Sequence, residues 1–277
     1  MAKYYNPRWI DEDTYSNGWE DRLADAKNRR ANKSAKEIDE QLTKYYKTAA
    51  KRVMKDFEAT YDKLLATVAD GKEPTPADLY KLDKYWEMQA QLKEELQKLG
   101  DKEIALLSEQ FVKTYKADYE AIKLSANISP DEQFSKISTE AAEQAINSVW
   151  VADGKEWSER VWDNTAKLAD TLNEELIHCI VTGKKTTELK NLLQERFNSS
   201  YYEADRLART EIAHIQTEAA KKRYADYGIE QVEIWADYDE RRCDVCGKLH
   251  KKRYPVGADV PIPAHPNCRC CIIPVVE

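Results

Sequence analysis

The chain has 277 residues, 34% of them charged, with only 8 Gly and 9 Pro, and a formal net charge of -7. That length can bury a sizeable core, and the composition favours long helices with solvated faces. The acidic balance excludes a general nucleic-acid sponge, and no apolar run approaches the roughly 18 residues of a membrane helix.

Residues 1–35 are aromatic but strongly polar, with Tyr4, Tyr5, Trp9, Tyr15 and Trp19 among many charges. They read either as a partly ordered arm or as a docking segment, since aromatics supply contact area. The first residues lack the apolar core of a signal peptide, which predicts a reducing cytoplasm. From Lys36 a stripe recurs every three or four residues: Ile38, Leu42, Tyr45, Ala49, Val53, Phe57, Tyr61 and Leu64. It predicts a long helix with one buried face. "DGKEPTP" at 70–76 breaks it, and Thr75 and Pro76 suit the N-cap and first turn of a second helix. Leu79, Leu82, Tyr85, Trp86, Leu92, Leu96 and Leu99 carry that helix to Gly100. A third is predicted from Asp101, through Ile104, Leu107, Phe111, Tyr115, Tyr119 and Ile122. Residues 36–125 therefore read as an antiparallel helical bundle or hairpin.

"SANISPDEQ" at 125–133 marks a boundary, and 126–229 reads as a second helical region. Phe134, Ile137, Ala141, Ala145 and Val149 form one stripe, and a helix runs from Trp157 to Val181. "ELKNLLQERF" predicts a short amphipathic helix, followed by another over 199–228 with Gly228 as its C-cap. The pattern then changes to alternation: "QVEIWAD" places Val232, Ile234 and Ala236 on one face of a strand, and "KKRYPV" and "CIIPVV" supply two more. The expected class is mainly α with a small Cys-rich β module at 230–277.

That module holds five of the six cysteines. Cys243-x-x-Cys246 is a spacing that lets two thiolates reach one ion, and His265-x-x-Cys268-x-Cys270 follows 18 residues later. Two such clusters suit tetrahedral zinc. Cys243, Cys246, His265 and Cys268 form the most economical set, with Cys270 as a substitute and Cys271 adjacent. The competing reading is small buried side chains. Catalytic zinc is disfavoured, because neither the paired H-x-E and P-C-x-x-C elements nor H-E-x-x-H occurs. The same stretch carries Arg241, Arg242, Lys248, Lys251, Lys252 and Arg253 against Glu240 and Asp244, a local +4 that can meet phosphates or only water.

A rival constellation pairs Glu175 with His178 and Glu211 with His214, the Glu-x-x-His spacing of di-iron carboxylate bundles, with Glu140, Glu143, Glu188 or Glu195 to complete it. Abundant acidic residues make such pairs easy to meet by chance. No P-loop, dinucleotide fingerprint or nucleophile elbow occurs, and Cys179 sits in an apolar helical stretch.

Three pieces resemble one family: "RLARTEIAHIQTEAAKKRYADYGI", "VEIWADYDERRCDVCGKLH" and "PAHPNCRCCIIPV". Their order and spacing are similar to the phage Mu F-like minor head proteins, the head morphogenesis proteins of tailed phages. Where many relatives have Asp-Gly after the leucine, this chain has His250-Lys251. The resemblance implies a structural virion protein with no catalytic residues and no organic cofactor, made in the host cytoplasm and carried into the head interior. It implies association with the portal protein during head assembly and contact with packaged double-stranded DNA or help in its release. Scaffold or capsid protein are further candidate partners, and no membrane is implied. Some relatives carry toxin domains after the module; here none is expected beyond Glu277. Arg209-Thr210-Glu211 reads as a structural segment, in which Glu211 and Arg209 are expected to tie the helix to the β module, for example through Arg241 or Arg242. The alternatives are a di-iron enzyme and a stand-alone zinc-stabilised nucleic-acid-binding protein.

Overall fold

The structure is a computed structural model that describes residues 18–68, 75–123, 136–236 and 242–276. Among these residues, α1 spans Trp19–Val68, α2 Pro76–Leu79, α3 Asp83–Ala121, α4 Thr139–Ile146, α5 Trp157–Val181 and α6 Thr186–Asp226. The C-terminal part adds β1 (Gln231–Trp235), α7 (Asp244–Leu249), β2 (Arg253–Pro255) and β3 (Cys271–Pro274). The mainly helical class with a small β module is what the sequence predicts. No described helix is long and apolar enough to cross a membrane.

Several helix boundaries differ from expectation, each for a physical reason. The first helix starts at Trp19, not near Lys36. Its early buried positions are Ala24, Lys27 and Ala35, so no large apolar residue marks the period. Residues 1–17 lie outside the described part, as does the boundary expected at 125–133. Gly100 does not end a helix, because α3 passes through it. A Cβ there would sit 2.4 Å from Trp162 Cζ3, so the glycine makes room for an indole. The helix expected from Pro76 to Gly100 is instead split, α2 ending at Leu79 and α3 starting at Asp83. The Thr75 start is as expected: its backbone N–H and hydroxyl both reach Asp78 Oδ2, at 3.2 and 2.6 Å. The two helices expected over 187–228 are one, α6. Nothing at the junction breaks it: Ser200 is buried, and its hydroxyl and carbonyl both bond the Asn164 amide.

The chain divides into two compact units, each drawn from separate stretches. One takes the described parts of 38–107 and 150–205. In it α1 and α3 run antiparallel, since Tyr46 pairs with Glu103, Arg52 with Glu95 and Thr60 with Met88. The expected stripe is adjusted by single residues: Tyr46 rather than Tyr45 is buried, and Trp86 is exposed while Met88 fills the core. Asn164 of α5 donates to the Tyr46 hydroxyl at 3.2 Å, and Arg196 of α6 grips Glu175 of α5 at 2.6 Å.

The other unit takes the described parts of 1–37, 108–149 and 206–277. Helix α6 ends in a Schellman turn: Ile229 N–H reaches Tyr224 O at 3.0 Å, Gly228 N–H reaches Ala225 O at 2.9 Å, and Gly228 has φ 74°. The chain then enters an antiparallel sheet of order β2-β1-β3. One face of the sheet buries Val232, Ile234, Ala236 and Ile272 against Tyr224 and Ala220. The other buries Trp235, Cys271 and Ile273 against Ala24 and Leu23 of α1. Trp235 Nε1 donates to Asp21 of α1 at 3.0 Å.

Candidate metal centre

Two short backbone devices build the centre. In the first, Cys243 is the N-cap of α7: its sulfur accepts from Cys246 N–H at 3.4 Å, and its carbonyl takes Gly247 N–H at 2.9 Å. This one-turn helix, absent from the sequence reading, turns both sulfurs the same way. In the second, Cys268 N–H bonds His265 O at 3.2 Å, with Asn267 between them at φ 59°. Asparagine tolerates that left-handed conformation better than most residues. The register of β3 then sends Cys270 and Ile272 to one face and Cys271 and Ile273 to the other.

The five donors named from the sequence meet here. Cys243 Sγ and Cys246 Sγ each lie 3.2 Å from His265 Nε2, and Cys246 Sγ lies 3.7 Å from Cys268 Sγ. They form two triads that share Cys246: Cys243, Cys246 and His265, and then Cys246, Cys268 and Cys270, the ligand atoms of each within 4.8 Å of one another. Two thiolates on one tetrahedral zinc stand about 3.8 Å apart, given metal–sulfur bonds of about 2.3 Å. The Cys246–Cys268 separation matches that edge. Cys271 is not part of the cluster, because it packs with Trp235 on the opposite face.

The donor chemistry fits a cation. His265 Nδ1 lies 2.8 Å from Pro266 O, which can only accept. The ring proton therefore belongs on Nδ1, leaving the Nε2 lone pair directed at the sulfurs, as in metal-binding histidines whose second nitrogen is held by a carbonyl. Hydrogen bonds from Cys246 and Cys270 hold the Cys268 sulfur well below the usual thiol range. The same contacts with Cys268 and Cys270 push Cys246 far up. Crowded sulfurs can ionise together only if a positive charge joins them. The cluster is consistent with a structural zinc site.

Long-range contacts hold the ligand loop. Lys27 of α1 is buried and donates from Nζ to Cys270 O at 2.9 Å. Thr210 Oγ1 of α6 accepts from Asn267 N–H at 3.2 Å. This tie to the ligand loop is made by Thr210, for which the sequence reading names no such role, while Glu211 is buried in α6. Arg241, one of its expected partners, lies outside the described residues. Lys27 and Asp21 carry no sequence signal, because they precede their partners by more than 200 residues.

The basic residues are spread out. Arg242 lies over α7, its Nε 3.4 Å from where a Gly247 Cβ would stand. Arg253 pairs with Glu233 at 3.0 Å, and Lys251 Nζ stands 5.8 Å from the Trp235 ring centroid. Lys248 and Lys252 are exposed. Of the di-iron residues, Glu175 is held by Arg196, Glu211 is buried, and burial pushes His214 down to about 3, while His178 is exposed. Among the described residues, groups of three or more closely placed metal donors comprise the two cysteine triads alone, and include none of Glu175, His178, Glu211 and His214. Cys179 is buried in α5, and burial pushes its thiol up.

Residues 170–273 match the family model described as phage Mu protein F like protein. The chain is also similar to the NAD(+)–arginine ADP-ribosyltransferase EFV of Enterococcus faecalis, 28% identical over 142 residues, which is 45% of this chain and 29% of that protein. It therefore spans less than a third of that relative's length. No solved structure matches. The matched segment runs from within α5 to β3 and contains every donor of the cysteine–histidine cluster, and over that segment the chain is similar to the phage Mu protein F-like family.

Proposed function

We propose that this protein is a minor head protein of a tailed phage, acting as a structural component rather than an enzyme. The observation that carries this reading is the family match over 170–273, a segment built around the cluster. A catalytic zinc keeps one coordination position open. Here five protein donors crowd the site, and four would already close a tetrahedron. That supports a clip holding a small sheet to its helices. In this reading the protein assembles in the host cytoplasm, joins the portal protein, and ends in the head interior, with scaffold or capsid protein as secondary partners.

The test is co-expression with the portal protein of the same phage, followed by affinity capture and size exclusion. Co-elution in one peak supports the reading, and separate elution of two folded proteins overturns it. About one zinc per purified chain is expected by metal analysis.

A role at packaged DNA is a further part of the proposal, supported by exposed Lys248 and Lys252 on an otherwise acidic chain. Contact there is weak and salt-dependent, because few phosphates are met and Arg253 already faces Glu233. Charge reversal of Lys248 and Lys252 together should abolish binding of a short duplex at low salt. Unchanged affinity removes DNA from the reading.

A further inference from the structure

The cluster holds more donors than one tetrahedral ion uses. Cys246, Cys268 and Cys270 are each no more than 5% exposed, and their three sulfurs lie within 4.8 Å of one another. No nitrogen or oxygen side chain belongs to this triad, and its neighbours include Ile234, Ile262 and Ile272. The backbone that carries it is pinned at both ends, Asn267 N–H by Thr210 and Cys270 O by Lys27. These two bonds fix the backbone on either side of Cys268.

Soft ligands select soft ions, and a site of three thiolates differs from the mixed nitrogen and sulfur set that suits zinc. We infer that Cys246, Cys268 and Cys270 form a second site, overlapping the first, for a thiophilic three-coordinate species of the class of trivalent arsenic. With arsenous acid, As(OH)3, three As–O bonds break and three As–S bonds form. The three thiol protons leave with the hydroxyls as three waters, and arsenic stays trivalent. Because Cys246 and Cys268 would serve both sites, an ion in the triad expels a tetrahedral ion. Only that displacement rests on the zinc reading; binding to the triad stands without it.

The experiment titrates the full chain, zinc-free and zinc-loaded, with arsenite. It follows arsenic–thiolate absorbance in the ultraviolet and metal content by native mass spectrometry. One arsenic per chain is expected, with release of one zinc from loaded protein. Cys270→Ser should keep its zinc, which reports an intact fold, and lose arsenite affinity by at least about tenfold. Cys243→Ser and His265→Ala should lose zinc and keep arsenite. Equal arsenite affinity in wild type and Cys270→Ser overturns the inference. So does loss of zinc by both Cys270→Ser and Cys270→Ala with helical circular dichroism unchanged, since Cys270 would then be a zinc ligand. Wild type that takes arsenite through Cys270 but never holds zinc supports the triad and refutes the zinc clip.

Discussion

Lys27 Nζ donates to the carbonyl of Cys270 at 2.9 Å, across 243 positions of sequence. The bond joins the third turn of α1 to the last residue before β3, beside the metal donors. Hydrogen bonds from charged groups contribute roughly 1.5–3 kcal/mol when buried. Lys27→Met keeps the aliphatic stem and removes the donor, so it should destabilise the β module by about 2 kcal/mol. Hydrogen exchange at β1 and β3 should rise while the amides of α5 stay protected. Unchanged exchange in the two strands would show that α1 does not hold the loop.

Glu103 makes the unit of 38–107 and 150–205 sensitive to pH. It is fully buried in α3, with Tyr46 donating to Oε2 at 3.0 Å. Burial raises its pKa from 4.5 to about 7, against a smaller opposite effect of the Tyr46 hydrogen bond. The folded state thus binds this proton more tightly than the unfolded chain does. Its contribution is complete below about pH 4.5 and is lost as pH climbs through 7. The loss is on the order of 3 kcal/mol at about 1.4 kcal/mol per pH unit. Glu103→Gln should flatten the slope of denaturant stability between pH 5 and 8. A variant with the wild-type slope would disprove this assignment.

Gly100 lies within α3, where glycine costs about 1 kcal/mol relative to alanine on propensity alone. Packing reverses the expected gain, because a Cβ would stand 2.4 Å from Trp162 Cζ3. Forcing a methyl into a packed core costs about 1–3 kcal/mol. Gly100→Ala should therefore lower the midpoint of urea unfolding. In a Trp162→Leu background the same change should be neutral or stabilising. A midpoint raised by Gly100→Ala in the wild-type background would refute the contact.

Lys251 has φ 63°, the left-handed conformation where a side chain costs roughly 1–2 kcal/mol. The turn is nonetheless bonded at both ends, Lys251 N–H to Ile234 O at 2.8 Å and Lys252 N–H to Leu249 O at 3.1 Å. Lys251→Gly relieves the strain but adds freedom to the unfolded chain. A net stabilisation of about 0.5–1 kcal/mol is expected, read as a higher unfolding midpoint of the metal-loaded protein. A lower midpoint would mean that the contact of Lys251 with Trp235 outweighs the strain.

Much of the fold was legible because local periodicity reports which face is buried. The α5 stripe, the Thr75 start, the Gly228 turn and the alternation of β1 each depend on neighbours within a few residues. The misread positions share a different property. Ala24 and Lys27 fill buried sites without large apolar side chains, so α1 looked shorter than it is. Gly100 resembled a stop because its neighbour Trp162 is 62 residues away in sequence. Glu103 is a charged residue at a core position, where a pattern of apolar residues shows only a gap.

The sequence by itself picked out Cys243-x-x-Cys246 and His265-x-x-Cys268 as candidate zinc donors, because each short motif imposes its own local geometry. It determined the strands, because alternation encodes the two faces of a sheet. Only the tertiary structure decided that Cys270 joins the cluster while Cys271 turns to Trp235, since that depends on the register of β3 against β1. It alone brought Lys27, Asp21 and Thr210 to the module. Contacts between elements far apart in the chain are selected by how whole faces pack, and no local pattern carries that information.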